Sequence, residues 1–184
     1  NDMTDVIKKH INFASNCFKQ KNKILAICWG LQVCSTAAGG KVNQGSNGAH
    51  IGIASDVIIN EDGDKHFIYK NKKKKFTTPA FNFDEVTELP KNSILLSSDS
   101  VNKVMGVSFK AGNSEVTGLQ YHPDYEYHQM INLIVGRKER LFNNKNFLDE
   151  DEYEKHISYI KSENALLNFN DRSCEVRNWL NHIK

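Results

Sequence analysis

The spacing of hydrophobic and polar positions changes along the chain, and these changes predict its first elements. Residues 3–20 carry apolar side chains at spacings of three to five, which is typical of an amphipathic helix. Residues 23–27 form a short apolar run of the kind found in strands buried on both faces of a parallel sheet. A second helix is predicted over residues 29–38, because Gly39 and Gly40 supply the glycine that commonly follows a helix end.

The middle of the chain predicts strands and hairpins, partly antiparallel. Short apolar or alternating segments are separated there by turn-forming residues such as Pro79, Pro90 and Gly112. The predicted strands cover residues 50–59, 66–69, 94–97, 103–109 and 115–121.

The end of the chain predicts helices over residues 125–141, 150–167 and 171–183, the last with Asp171 as its N-cap. Helices and strands follow each other before this tail, which favours an α/β protein. With 184 residues and no low-complexity linker, the chain is expected to form one domain, 1–184, with a helical tail over 128–184.

Composition excludes several classes of partner. The formal charge of +2, from 24 Lys and Arg against 22 Asp and Glu, does not favour a nucleic-acid or membrane partner. No apolar run has the length of a membrane span, and the start does not resemble a signal peptide. Four irregularly spaced cysteines fit neither a disulfide framework nor a zinc site, so we expect reduced thiols and a cytoplasmic location. The basic run over residues 72–75 is expected to be a solvated turn.

Cys28 is the candidate nucleophile. It directly follows the apolar run 23–27 and precedes the predicted helix 29–38, which places it at a tight strand-to-helix turn. Backbone N–H groups and the positive end of the helix dipole favour a thiolate at such a turn. Gly30 is expected where a side chain would crowd the turn. The other cysteines, Cys17, Cys34 and Cys174, are expected to pack in the core.

His122 is the histidine with the context of a general base. It ends a predicted strand and is followed by two acids, Asp124 and Glu126, which share its face if the segment is extended. A carboxylate there would hold the imidazole in the tautomer that accepts a proton from sulfur. A cysteine, a histidine and a carboxylate are the parts of an acyl-transfer site. His50, which opens an apolar stretch, has either a core or a cleft position.

Two segments resemble motifs of class I, or triad-type, glutamine amidotransferases. Residues 26–32 read Ala-Ile-Cys-Trp-Gly-Leu-Gln and resemble the family's Gly-x-Cys-x-Gly-x-Gln elbow. Residues 118–124 read Gly-Leu-Gln-Tyr-His-Pro-Asp and resemble its Gly-x-Gln-[Phe/Tyr]-His-Pro-Glu block. Segments 37–42 and 81–90 are similar to family segments between these motifs. The resemblance implies a flavodoxin-like α/β fold: a central, mostly parallel sheet with flanking helices and an antiparallel section.

The resemblance also implies a mechanism. Cys28 would attack the γ-carboxamide of glutamine and form a glutamyl thioester. His122, oriented by Asp124, would protonate the departing ammonia and then activate the hydrolytic water. No metal or cofactor takes part in this scheme.

Three further residues belong to the implied substrate-binding part of the site. The backbone N–H of Trp29 would stabilise the oxyanion, as the residue after an elbow nucleophile usually does. Gly30 follows in the elbow motif, and Gln32 corresponds to the family's substrate-side glutamine. The ammonia released in this family normally passes to a synthetase domain or partner protein.

The sequence departs from the family pattern at three places. Asp124 stands where the family usually has the longer Glu, and Glu126 remains the alternative acid. Ala26 replaces the first glycine of the elbow. The family also begins with a strand–helix–strand region whose glycine-rich loop provides a second oxyanion donor. This chain opens with Asn1 in a helical pattern, so we expect it to lack that region.

The sequence leaves three functions open. The first is a glutamine amidotransferase that releases ammonia from glutamine. The second is a γ-glutamyl hydrolase or peptidase, which resembles the same fold and uses the same triad on larger substrates. The third is an inactive amidotransferase-like fragment that binds a partner.

Overall fold

The computed structural model describes residues 3–166 and 168–184. Helices and strands alternate at the start of the described chain, strands dominate its middle, and helices follow. In chain order the elements are α1 (Asp5–Phe18), β1 (Lys23–Ile27), α2 (Trp29–Ala37), β2 (Lys41–Gln44), β3 (His50–Ile51), β4 (Ala54–Ile59), α3 (Glu61–Lys65), a 3₁₀ turn (Phe67–Tyr69), β5 (Lys75–Thr78), β6 (Phe81–Asn82), β7 (Asp84–Glu88), β8 (Ile94–Ser98), β9 (Gly106–Ala111), β10 (Ser114–Leu119), α4 (Tyr127–Val135), α5 (Lys138–Asn143), α6 (Glu150–Leu166), α7 (Phe169–Arg172) and α8 (Cys174–Ile183).

The main sheet of the described residues has six strands in the order β1-β10-β9-β8-β4-β5. Only β1 and β10 pair in parallel, and the other neighbours are antiparallel. The sheet is therefore mixed, with a smaller parallel part than the sequence predicts. The reason lies in the connections: parallel neighbours need a long crossover, whereas β8, β9 and β10 follow one another through short turns. The strand pairs β2–β7 and β3–β6 form two small ribbons.

The elements around the first strand agree with the predicted pattern. Helices α1 and α2 pack together over a core cluster that includes Phe18, Leu31 and Phe109. Thr4 caps α1 by accepting a hydrogen bond from the backbone N–H of Ile7. Of the other cysteines, Cys34 and Cys174 are buried as predicted, whereas Cys17 is only partly buried.

Several predicted elements take another form. The predicted strand over residues 66–69 is a 3₁₀ turn, because the His66 side chain accepts from the N–H of Ile68 and caps it. The predicted helix over residues 125–141 is divided into α4 and α5 at Gly136. The predicted end of α6 at residue 167 lies outside the described residues.

The predicted N-cap at the end of the chain is also wrong. Asp171 lies inside α7, which Asn168 caps by accepting from the N–H of Asn170. Helix α8 begins after Ser173. None of the helices in residues 3–166 and 168–184 combines the length and the apolar character that a membrane crossing requires.

The basic run over residues 72–75 is not a fully solvated turn. Lys73 and Lys74 are exposed, but the Lys72 side chain is only 5% exposed and its Nζ lies 3.1 Å from the Glu175 carboxylate. The physical reason is that a buried carboxylate needs a counter-charge, and Lys72 provides it.

Gly118 lets α2 pack closely on β10. A Cβ at this position would lie 2.4 Å from Cδ1 of Leu31, which is fully buried, and 3.2 Å from Cγ1 of Val107. We predict that Gly118→Ala lowers the free energy of unfolding by about 1–3 kcal/mol, the usual cost of overpacking a core. Urea denaturation measures the change.

Gly30→Ala is the matched control for this prediction. A Cβ at Gly30 meets only Cβ of Ala26, at the ordinary distance of 3.9 Å. Its stability should equal or exceed that of the wild type, since alanine is the better helix former. Equal stability of Gly118→Ala and the wild type would contradict the close packing of α2 on β10.

Candidate active site

Cys28 lies at a sharp turn between β1 and α2. Its backbone adopts φ 48° and ψ −105°, a positive-φ conformation that is strained for a residue with a side chain. Its N–H donates a 2.7 Å hydrogen bond to the carbonyl of Leu119 at the end of β10. Its carbonyl accepts from the N–H of Gln32 at 3.2 Å, which starts the helix. The turn therefore places the thiol at the N-terminus of α2 and ties it to the neighbouring strand.

His122 follows the end of that neighbouring strand. Its N–H donates to the carbonyl of Pro79 at 2.7 Å, which fixes the backbone just after β10. The ring is 17% exposed, and its Nδ1 lies 3.2 Å from Oδ1 of Asp124. The Cys28 thiol contributes to raising the pKa of this ring. The fold thus brings His122 near Cys28, which lies more than ninety positions earlier in the chain.

The charges of this group support one another. Burial disfavours the charged ring of His122, but its hydrogen bond to Asp124 and its interactions with Asp124 and Cys28 outweigh burial and raise its pKa to about 9. Burial likewise disfavours the charged Asp124, yet the hydrogen bond and charge of His122 hold the pKa of that carboxyl below its usual range.

The structure brings Asp124, and not Glu126, next to His122. Glu126 instead lies 3.0 Å from Nδ1 of His128 and 3.4 Å from the Arg172 guanidinium. It also takes part in the capping box that begins α4, in which the Gln129 side chain accepts a hydrogen bond from the N–H of Glu126. The shorter side chain at position 124 therefore still reaches the ring.

The residues of the expected substrate side lie along the first turn of α2. Trp29 is 45% exposed, and its indole N–H donates to Nδ1 of His10 at 3.2 Å. Gln32 is buried, and its amide donates to the carbonyl of Asp84 at 2.8 Å. A cleft of about 330 Å³ between α1 and α2 has Trp29 and Gln32 in its wall, but Cys28 and His122 do not line it.

Gly30 does not have the constraint that the sequence suggests. A Cβ there would make one ordinary contact, 3.9 Å from Cβ of Ala26, so a side chain would not crowd the turn. The strain of the turn lies in the backbone of Cys28 instead.

Two further groups contact the Cys28 sulfur, and neither is among the residues predicted from the sequence. The amide of Gln120, which is fully buried, donates to Sγ at 3.6 Å, and the carbonyl of Phe81 lies 3.8 Å from it. Gln120 also lies 3.4 Å from the Gln32 amide. A glutamine within an apolar strand two residues before His122 is the signal that could have indicated Gln120. The Phe81 carbonyl carries no sequence signal.

His50 takes a buried position. Its Nδ1 lies 3.1 Å from Oδ1 of Asn82, and its Nε2 lies 2.8 Å from Oδ2 of Asp99. Burial disfavours the charged Asp99, but the hydrogen bond and charge of His50 hold the pKa of that carboxyl below its usual range. The pair joins the β3–β6 ribbon to the turn after β8. Within the described ranges, no three His, Cys, Asp or Glu side chains are grouped as metal ligands.

The fold and the site together define an α/β protein with a strained strand-to-helix turn at Cys28, and comparison with known proteins identifies its family. Residues 1–138 match the profile described as "Glutamine amidotransferase class-I". The chain belongs to the class I glutamine amidotransferase family, as the sequence motifs predict. A glutamine amidotransferase of Thermotoga maritima covers 96% of this chain with a TM-score of 0.71 and 19% identity, while this chain covers 69% of that structure. That likeness confirms the predicted fold class.

Two curated relatives differ in how much of the chain they match. A gamma-glutamyl-L-1-hydroxyisopropylamide hydrolase of a Pseudomonas species is 26% identical over 95% of this chain. A glutamine-hydrolyzing GMP synthase subunit of Methanococcus vannielii is 32% identical over 68% of this chain. The chain spans 65% of the length of each of these relatives.

The contact between Asp124 and His122 yields a prediction about titration. Replacing Asp124 by Asn removes the carboxylate that stabilises the charged ring, so the pKa of His122 should fall from about 9 toward the ordinary value of 6.5. NMR titration of the His122 ring signals measures this change.

Glu126→Gln is the control variant, because the Glu126 carboxylate contacts His128 and Arg172. The His122 pKa should stay at the wild-type value in this variant. A fall of equal size in both variants, or a fall in Glu126→Gln alone, would contradict the pairing of His122 with Asp124.

Proposed function

We propose that the chain hydrolyses the side-chain amide of glutamine, or of a related γ-glutamyl compound, through Cys28, His122 and Asp124. The observation that supports this proposal is the His122 ring, whose Nδ1 lies 3.2 Å from the Asp124 carboxylate and whose pKa is raised by both Asp124 and the Cys28 thiol. A nucleophile, a proton carrier and an orienting acid are thereby in mutual reach.

The proposed reaction has two halves. The Cys28 thiolate attacks the γ-carbonyl carbon, and the imidazolium of His122 gives its proton to the leaving nitrogen, so that ammonia or an amine departs and a γ-glutamyl thioester remains. Water then attacks the thioester while His122 takes up its proton. Glutamate leaves, and the sulfur is again a thiolate beside a protonated His122. Asp124 holds the ring in orientation through both halves.

The negative charge that develops on the carbonyl oxygen needs donors near the elbow. We assign this role to the backbone N–H of Trp29, because the first N–H groups of a helix have no partner within the helix. Gln32 and Gly30 form part of the substrate-side wall next to it. The amide of Gln120, 3.6 Å from Sγ, is suited to hold the sulfur in place.

A larger γ-glutamyl amide is the second candidate substrate, and the comparisons support it. The γ-glutamyl amide hydrolase relative matches 95% of this chain, whereas the GMP synthase relative matches 68%. With glutamine as substrate, the ammonia would pass to a synthetase partner. With a γ-glutamyl amide, glutamate and a free amine are the final products and no partner is required.

The rest of the proposal concerns the chain as a whole. We propose that residues 1–184 act as one amidotransferase-like domain in the cytoplasm, without a metal or cofactor and without a nucleic-acid or membrane partner. The rival hypothesis, an inactive fragment that binds a partner, makes the opposite prediction for activity.

Glutamate release is the measurement that tests the proposal. We predict release from glutamine or from a γ-glutamyl amide by the wild-type chain, and a loss of about 1,000-fold or more in kcat for Cys28→Ser, because serine at this position lacks the reactivity of a thiolate. The ratio of kcat/KM for the two substrates identifies the preferred one.

Cys17→Ser is the matched control, since Cys17 lies on α1 outside the site and is only partly buried. It should keep the wild-type rate. The absence of glutamate release from both substrates by a folded wild-type chain would refute the enzyme proposal and favour the inactive fragment.

A further inference from the structure

Helix α8 contacts the chain segment that bears the candidate histidine, His122. Tyr121 immediately precedes His122, and its ring is fully buried in the core of the sheet. Its hydroxyl donates a 2.6 Å hydrogen bond to Oε1 of Glu175, in the first turn of α8. This bond joins the segment that bears His122 to a helix that lies more than fifty residues further along the chain.

Glu175 is a buried charged group with its own set of partners. Its side chain has no exposed surface, and Nζ of Lys72 lies 3.1 Å from its carboxylate. Lys72 also donates to the carbonyl of Asp171 at 2.7 Å. Burial raises the pKa of the Glu175 carboxyl, and the charge of Lys72 and the hydrogen bond from Tyr121 oppose this rise. Such a pair is costly to break, because removing one partner leaves a buried charge uncompensated.

The same network continues into the sheet. The hydroxyl of Tyr69 lies 3.2 Å from that of Tyr121 and 2.7 Å from the hydroxyl of Ser97 on β8. A Cβ at Gly106 would lie 2.2 Å from the Tyr69 hydroxyl, so only glycine leaves room for it there. Tyr121 is therefore held from both the sheet and α8.

Arg172 binds the backbone of the residues that follow His122. Its side chain is buried, and its guanidinium donates to the carbonyls of Tyr125 at 2.8 Å and Pro123 at 3.4 Å. These two residues flank Asp124. One guanidinium thus fixes the backbone on both sides of the acid, and its charge also lowers the pKa of the Asp124 carboxyl.

We propose that Glu175 and Arg172 are positioning residues, which hold His122 and Asp124 in the geometry needed to act on Cys28. The inference rests on the proposed function, and it adds a role for helices α7 and α8. Both residues lie beyond residue 138, where the match to the family profile ends. In this proposal, helices α7 and α8 position His122 and Asp124 in addition to packing against the core.

A purely structural role makes a different prediction. If the network only stabilises the fold, its removal lowers the unfolding temperature but leaves the His122 ring and the rate per folded molecule unchanged. If it positions the histidine, its removal weakens the contacts of His122 with Asp124 and Cys28. The His122 pKa then falls, and kcat falls while KM changes little, since the Arg172 and Glu175 side chains are both buried.

The test uses Tyr121→Phe and Glu175→Gln in the full chain. Tyr121→Phe removes one hydroxyl and leaves the Lys72–Glu175 pair, so it should fold even if Glu175→Gln does not. For each folded variant we expect the His122 pKa to fall from about 9 by roughly one unit or more, and kcat to fall about 10- to 100-fold. KM for the preferred γ-glutamyl substrate should stay within about twofold.

Arg172→Lys tests the second contact. Lysine keeps the charge but lacks the planar fork that reaches two carbonyls, so we expect the same direction of change in the His122 pKa and in kcat. Three exposed residues provide matched controls with wild-type behaviour in both measurements: Glu154→Gln, Tyr159→Phe and Arg177→Lys.

The titration separates this inference from the proposed function, because it needs no substrate. A wild-type chain that releases no glutamate refutes the proposed function, and the His122 pKa of the variants still tests the positioning. Folded Tyr121→Phe and Arg172→Lys variants with a wild-type His122 pKa would overturn the inference, whatever their stability.

Discussion

The candidate site depends on the parallel pairing of β1 with β10. In this register Ile27 lies opposite Leu119, so the chain leaves both strands at the same edge of the sheet. Cys28 follows the first strand directly, and His122 follows the second after a short segment. A 2.7 Å hydrogen bond from the N–H of Cys28 to the carbonyl of Leu119 is the last one between the two strands. Without this register the sulfur and the imidazole would not meet.

Packing on both faces of the β1–β10 pair stabilises its register and the strained turn at Cys28. Gly118 lets Leu31 of α2 lie directly on β10, so the helix that starts at the turn is held close to the strand. Behind the same strand, the hydrogen bond from Tyr121 to Glu175 anchors the segment before His122. The positive-φ backbone of Cys28 is tolerated because these neighbours leave it no relaxed alternative.

The sequence predicts the parts of the site that depend on local order. The turn at Cys28 follows from an apolar run before a helix. The spacing of the acids after His122 indicates a carboxylate near the ring, but it leaves Asp124 and Glu126 open, and the chain turns there instead of running extended. The buried contacts of Lys72 with Glu175 cannot be predicted in this way, because the two residues lie 103 positions apart and only the tertiary fold brings them together. The parallel part of the sheet is smaller than predicted for a related reason, since strand periodicity does not reveal strand direction.

The central claim is that Cys28 carries the acyl group during hydrolysis, and mass spectrometry of the acid-quenched protein tests it most directly. Single-turnover samples with a γ-glutamyl substrate should show a γ-glutamyl group on the peptide that contains Cys28, rising and then decaying as glutamate appears. A γ-glutamyl group on any other residue would contradict the account. Complete turnover in which the Cys28 peptide is unmodified at every time point would contradict it as well.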